Sequence, residues 1–192
     1  MDAAIDKTTP LAQGKFLRME LLDFTDEKGI KRTWEAVSRR KCSGAALIIP
    51  RLVPDNAFIL IRQFRPPAGA YVIEFPAGLI EPGESAEETA PRELYEETGY
   101  EGRVVRCLEP GCSSPGMTGE TVSMVLMEID AERYRNAPPA AHPEENEHID
   151  IFTVPAAEMP EFLAGRRALG DVIDAKLQAF LLGMGLSPLI ER

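Results

Sequence analysis

Histidine, cysteine and positive charge are all scarce in this chain of 192 residues. The two histidines are His142 and His148; the three cysteines are Cys42, Cys107 and Cys112, with no CxxC pair. So few ligands argue against a Cys/His zinc site. An odd cysteine count makes a poor disulfide framework and fits a reducing compartment. Lysine and arginine total 21 against 31 aspartates and glutamates, for a formal net charge of −10 and a pI near 4.8. So acidic a chain poorly matches a nucleic-acid backbone or an anionic membrane as main partner. A small anionic ligand stays compatible, because a local cation or metal inverts the field of one site. No apolar run approaches the roughly 18–20 residues that span a bilayer. The opening MDAAIDKTTPLAQGK has no apolar signal core. We expect a soluble, cytoplasmic protein with neither membrane nor nucleic acid as partner.

What is present is ordinary globular composition, 44% hydrophobic and 27% charged, with chain enough for one sizeable core. Residues 1–14 are small and polar, and we expect them to be mobile. Residues 16–24 and 30–39 read as strands joined by the turn DEKG, a hairpin. Residues 45–50, 58–64 and 71–75 read as short buried strands. Further strands are expected at 103–108, 121–129 and 149–154, with a Gly/Pro/Ser loop at 110–116 and a long loop over 131–147. Residues 156–167 and 171–184 have helical spacing; in the second, Val172, Ile173, Leu177, Phe180 and Leu181 would share an apolar face. Many strands, one central helix, more strands and then helices make an α+β layered domain, not a regular βαβ alternation.

The central helix lies in GLIEPGESAEETAPRELYEETGY, residues 78–100, which holds seven glutamates. Ser85 is a good N-cap, with Glu88 completing a capping box and Gly99 as the left-handed stop. Glu84, Glu87 and Glu88 sit near the positive end of the helix dipole, where anions are favoured. Glu93, Glu96 and Glu97 lie at the opposite end, where they are not. Their spacing puts them on one face. Two readings fit: a solvated surface with Arg92 as partial counter-charge, or an oxygen cage for a hard cation such as Mg²⁺. Charge alone favours the first. The strand-to-loop break at EFPAG and the glycines at 78, 83 and 99 favour a site. Pro91 predicts a kink or a distorted first half of the helix.

This stretch resembles the Nudix box, G-x5-E-x7-R-E-U-x-E-E-x-G-U with U bulky and apolar. Gly78, Glu84, Arg92, Glu93, Leu94, Glu96, Glu97, Gly99 and Tyr100 match without a gap. The resemblance implies a Nudix fold: an α/β/α sandwich with a mixed central sheet, preceded by an N-terminal antiparallel β-hairpin or sheet. It divides the chain into an N-terminal β region, residues 1–40, and a hydrolase domain, residues 41–192, with C-terminal helices. It also implies hydrolysis of a nucleoside diphosphate linked to another moiety, with Mg²⁺ or Mn²⁺ as cofactor. RTWEAV (32–37), RQFRPP (62–67), IEFPAGL (73–79) and Glu145-Asn-Glu147 resemble the ADP-sugar pyrophosphatase branch, including the ADP-ribose hydrolases. There the enzyme is a homodimer whose N-terminal hairpin reaches into the partner's site, and ADP-ribose yields AMP and ribose 5-phosphate.

Carried over position by position, the resemblance assigns metal binding to the Ala77 carbonyl and to Glu93, Glu96 and Glu97. It makes Glu147, with Glu145 as neighbour, the acid that handles the attacking water. Phe16 and Trp34 become adenine platforms, with Glu35 alongside. Arg39 and Arg65 grip the diphosphate, and Leu79 and Met117 line the base or sugar pocket. Read without the motif, Trp34 is a core residue, the arginines are surface ion pairs and Glu147 is a solvated loop acid. The rival functions are a Nudix enzyme acting on UDP-sugars, GDP-sugars or a dinucleotide, and a nucleotide sensor that does not hydrolyse.

Overall fold

Strand β4 (Gly44–Val53) is buried on both faces, and its alternation divides the core in two. The structure, a computed structural model, describes residues 2–42, 44–142 and 148–185. Ala46, Ile48 and Leu52 point to one side, where they meet Ala90 and Leu94 of helix α1 (Ala86–Thr98). Leu47 and Ile49 point to the other. They meet Met159 and Leu163 of α2 (Met159–Ala168) and Leu177 and Leu181 of α3 (Ala175–Gly183). A run that is aliphatic at every position belongs to a strand covered on both faces. Each of these larger side chains contributes roughly 1.5–3 kcal/mol on burial. The result is the expected α+β sandwich, one helix against two.

The central sheet runs β12 (Val172–Ile173), β6 (Ala70–Glu74), β5 (Ala57–Arg65), β4, β10 (Thr121–Asp130), β8 (Arg103–Cys107). Off this path β11 (Ile149–Pro155) pairs with β5, β7 (Ala77–Ile80) with β4, and β9 (Gly111–Cys112) with β10. The sheet is mixed: β10 is parallel to β4 and β12 to β6, while the other pairs are antiparallel. A separate antiparallel sheet holds β1 (Ala4–Gln13), β2 (Leu17–Thr25) and β3 (Lys31–Arg39).

Four expectations need correction. Residues 4–13 are ordered as β1, paired with β2 from Ala4↔Thr25 to Gln13↔Arg18 with register shifts after Ile5 and Pro10; ladder hydrogen bonds, not apolar patterning, hold them. Residues 77–80 are strand β7, paired with β4 from Leu47↔Ala77 to Gly44↔Ile80. Val172 and Ile173 belong to β12, with Val172 exposed, and α3 starts only after Asp174, whose carboxylate caps it. Finally, α1 runs as an unbroken α-helix through Pro91. The missing N–H deprives only the carbonyl of Glu87, an exposed residue that water can serve.

Candidate active site

Helix α1 begins as its sequence dictates. The Glu88 N–H donates to Ser85 Oγ at 3.2 Å and the Ser85 N–H returns a bond to Glu88 Oε2 at 2.9 Å. Gly99, at φ +74°, closes the other end. The last turns carry the carboxylates. Glu97 is buried, and its Oε2 accepts from the Ala77 N–H of β7 at 3.2 Å. Glu93 lies on Gly78: a Cβ there would run into the Glu93 carboxylate. The box glycine is thus a steric requirement, since only backbone fits beneath that side chain.

Arg92 occupies the centre of the acidic face. Its guanidinium donates to Glu84 Oε2 at 3.1 Å, Glu93 Oε1 at 2.8 Å and Glu96 Oε2 at 3.2 Å. Thr89 Oγ1 adds a bond to Glu84 at 2.9 Å. The hydrogen bond from Arg92 holds the Glu84 carboxyl below its usual range, and Glu84 in turn pushes Arg92 higher still. The counter-charge reading of Arg92 therefore holds, and it coexists with the site reading: one cation serves three carboxylates. Among the described residues no three acidic, imidazole or thiol groups already converge as a cation cage. The donor set still suits a hard divalent cation, because it consists of carboxylates and the Ala77 carbonyl and no softer group.

The other expected residues are placed as follows. Phe16 and Trp34 are both exposed. The Phe16 carbonyl accepts a backbone bond from Arg40, just past β3 and six residues from Trp34, so the backbones of Phe16 and Trp34 stand about 20 Å apart in one chain. Trp34 Nε1 donates to the Gly116 carbonyl at 3.1 Å, and the Val37 N–H to the Met117 carbonyl at 2.9 Å. These bonds tie β3 to the loop over 113–120. Glu35, Leu79 and Met117 are exposed. Arg39 is paired with Glu120 of that loop, and Arg65 with Glu74 of β6 at 2.7 Å. Burial pushes the Glu74 carboxyl upward despite Arg65. Glu145 and Glu147 lie outside the described residues. Just before them, the His142 N–H donates to the Glu96 carbonyl at 2.8 Å, and its ring stacks on Tyr95 at 5.0 Å. Glu74 and Glu120, which hold the two arginines, were missed by sequence reading. Glu74 was visible within IEFPAGL as a charge in an otherwise apolar strand.

A NUDIX-domain model matches residues 43–174. The chain is 36% identical over 185 residues to an ADP-sugar pyrophosphatase of Mus musculus, an alignment covering 91% of this chain and 84% of that one. It is 32% identical over 179 residues to an ADP-ribose pyrophosphatase of Saccharomyces cerevisiae, covering 88% and 77%. A crystal structure of an ADP compounds hydrolase superimposes with a TM-score of 0.66 at 24% identity, covering 97% of both chains.

Proposed function

Because this chain belongs to the Nudix hydrolase family, we propose that it hydrolyses the diphosphate of ADP-ribose and related ADP-sugars, giving AMP and a sugar phosphate. The carrying observation is the row Glu93, Glu96 and Glu97 at the end of α1, with Glu97 fixed on Ala77 and Glu93 on Gly78. Mg²⁺, or Mn²⁺ in its place, would be held by the Ala77 carbonyl and these three glutamates; when bound it supplies charge neutralisation on the diphosphate and an acidified water.

The chain's own residues do the rest. Glu93 and Glu97 are pre-positioned, so little ordering is required when the substrate arrives. Arg39 and Arg65 carry the planar donors that suit phosphate oxygens. Glu147, or a helix glutamate, takes the proton of the attacking water.

The adenine platform requires two chains in this reading. Phe16 and Trp34 are too far apart to clasp one base in a single protomer. Ile5, Leu11, Leu17 and Met19 are exposed on the N-terminal sheet, and neither buried core cluster includes any residue of β1–β3. A homodimer covering this sheet, residues 1–40 of one copy reaching the site of the other, accounts for both facts.

Product analysis tests the proposal with ADP-ribose, ADP-glucose, UDP-glucose and GDP-mannose, each with and without Mg²⁺. Metal-dependent AMP release, fastest from ADP-ribose, is expected. Faster cleavage of a UDP- or GDP-sugar would overturn the adenine assignment. No cleavage of any would favour the sensor.

A further inference from the structure

Gln63 of β5 is only 9% exposed, and its Oε1 is the one buried side-chain atom without a hydrogen-bond partner among the described residues. Leaving such an acceptor unpaired costs on the order of 1–3 kcal/mol. Native chains satisfy nearly all of them, so an exception calls for a reason.

Its position supplies one. Across the sheet Gln63 stands opposite Val72 of β6 and Ile149 of β11. Alternation sends Ile59, Ile61, Gln63 and Arg65 to the same face. That face carries α1, because Ile59 shares a buried cluster with Ala90 and Leu94. Glu74, opposite Ile61, joins them. Gln63, Arg65 and Glu74 therefore form a polar floor on β5 and β6, next to the strand pair that supports the carboxylate row. Nothing in the hydrophobic core explains an amide there.

We propose that Gln63 is a substrate-binding residue whose carboxamide hydrogen-bonds a sugar hydroxyl of the nucleoside diphosphate sugar; this rests on the pyrophosphatase reading above. The chemistry excludes the diphosphate. Oε1 needs a donor, and ionised diphosphate oxygens can only accept, so Gln63 faces a neutral part of the ligand. A hydroxyl can donate to Oε1 and also accept from the amide nitrogen. Arg65, two residues on, is left to serve the anion.

Gln63→Leu removes the orphan acceptor at similar volume. The expected result is a melting temperature unchanged or raised, with kcat/KM for ADP-ribose lowered at least about fivefold, chiefly through KM. Unchanged kcat/KM would overturn the assignment. A lower melting temperature with unchanged kinetics would hand Oε1 to a buried structural water, and overturn it too. Should the leucine variant fail to fold, Gln63→Met, unbranched like glutamine, is read by the same criteria. Wild-type protein inactive on every nucleotide sugar would sink the pyrophosphatase reading and this assignment together. Active wild type with an indifferent variant sinks this assignment alone.

Discussion

Two clusters of arginine and carboxylate stand on the two sides of the central sheet, and they are balanced differently. Around Asp171, whose side chain is almost fully buried, Arg62 donates at 2.9 Å and Arg166 at 2.7 Å, while Asp150 takes a second bond from Arg62 at 2.8 Å. Two cations meet two anions, and the Arg62 guanidinium also lies 3.7 Å from the Tyr71 ring centroid. Burial alone would raise the Asp171 carboxyl, but the two arginines overcome it and hold it below its usual value. On α1, Arg92 meets Glu84, Glu93 and Glu96. Among the described residues the first cluster pairs its charges two to two, whereas in the second one arginine is shared by three carboxylates. A local excess of like charge is kept at an energetic cost, and the proposed metal site would relieve it.

The comparison breaks most visibly at Glu93. Glu93→Gln should lower ADP-ribose turnover by about a thousandfold while leaving the folded state intact, with turnover and circular dichroism measured on the same sample. Near-normal turnover would remove the α1 cluster from the chemistry. Asp171→Ala should do the reverse. It strands two arginines, and denaturant titration should show a loss of about 3 kcal/mol with turnover of the remaining folded protein unchanged. The smallest effect is one of pH. Because Asp171 titrates lower in the folded chain than its ordinary 3.8, its contribution is complete above about pH 4 and fades as pH falls towards the folded value. Wild-type stability should therefore drop more steeply than that of Asp171→Asn below about pH 4; parallel curves would show that the cluster does not hold the carboxylate ionised.

Much of this was legible in the sequence, for identifiable reasons. The capping box at Ser85 and Glu88 and the stop at Gly99 are local chemistry, and α1 obeys them. The aliphatic runs of β4 and β5 are strong because burial on both faces leaves no polar alternation to misread. β1 was not legible: its residues are almost all exposed, so no apolar period records a partner that only the backbone recognises. β12 was hidden because Val172 and Ile173 also fit a helical spacing with Leu177 and Leu181. The engagement of Arg39 and Arg65 by Glu120 and Glu74 depends on residues 81 and 9 positions away, and no local rule reports such pairs. The orphan oxygen of Gln63 is likewise a property of the assembled sheet.

The lone tryptophan gives the molecule a built-in optical probe. All indole emission of the protein comes from Trp34, half-exposed on the N-terminal sheet and tied through Nε1 to the 113–120 loop. Its spectrum therefore reports the junction between sheet and loop and is blind to the apolar core, which contains no indole. Melting followed by tryptophan fluorescence and melting followed by far-ultraviolet dichroism are thus measurements of two different places, and a gap between them would time the separation of one from the other.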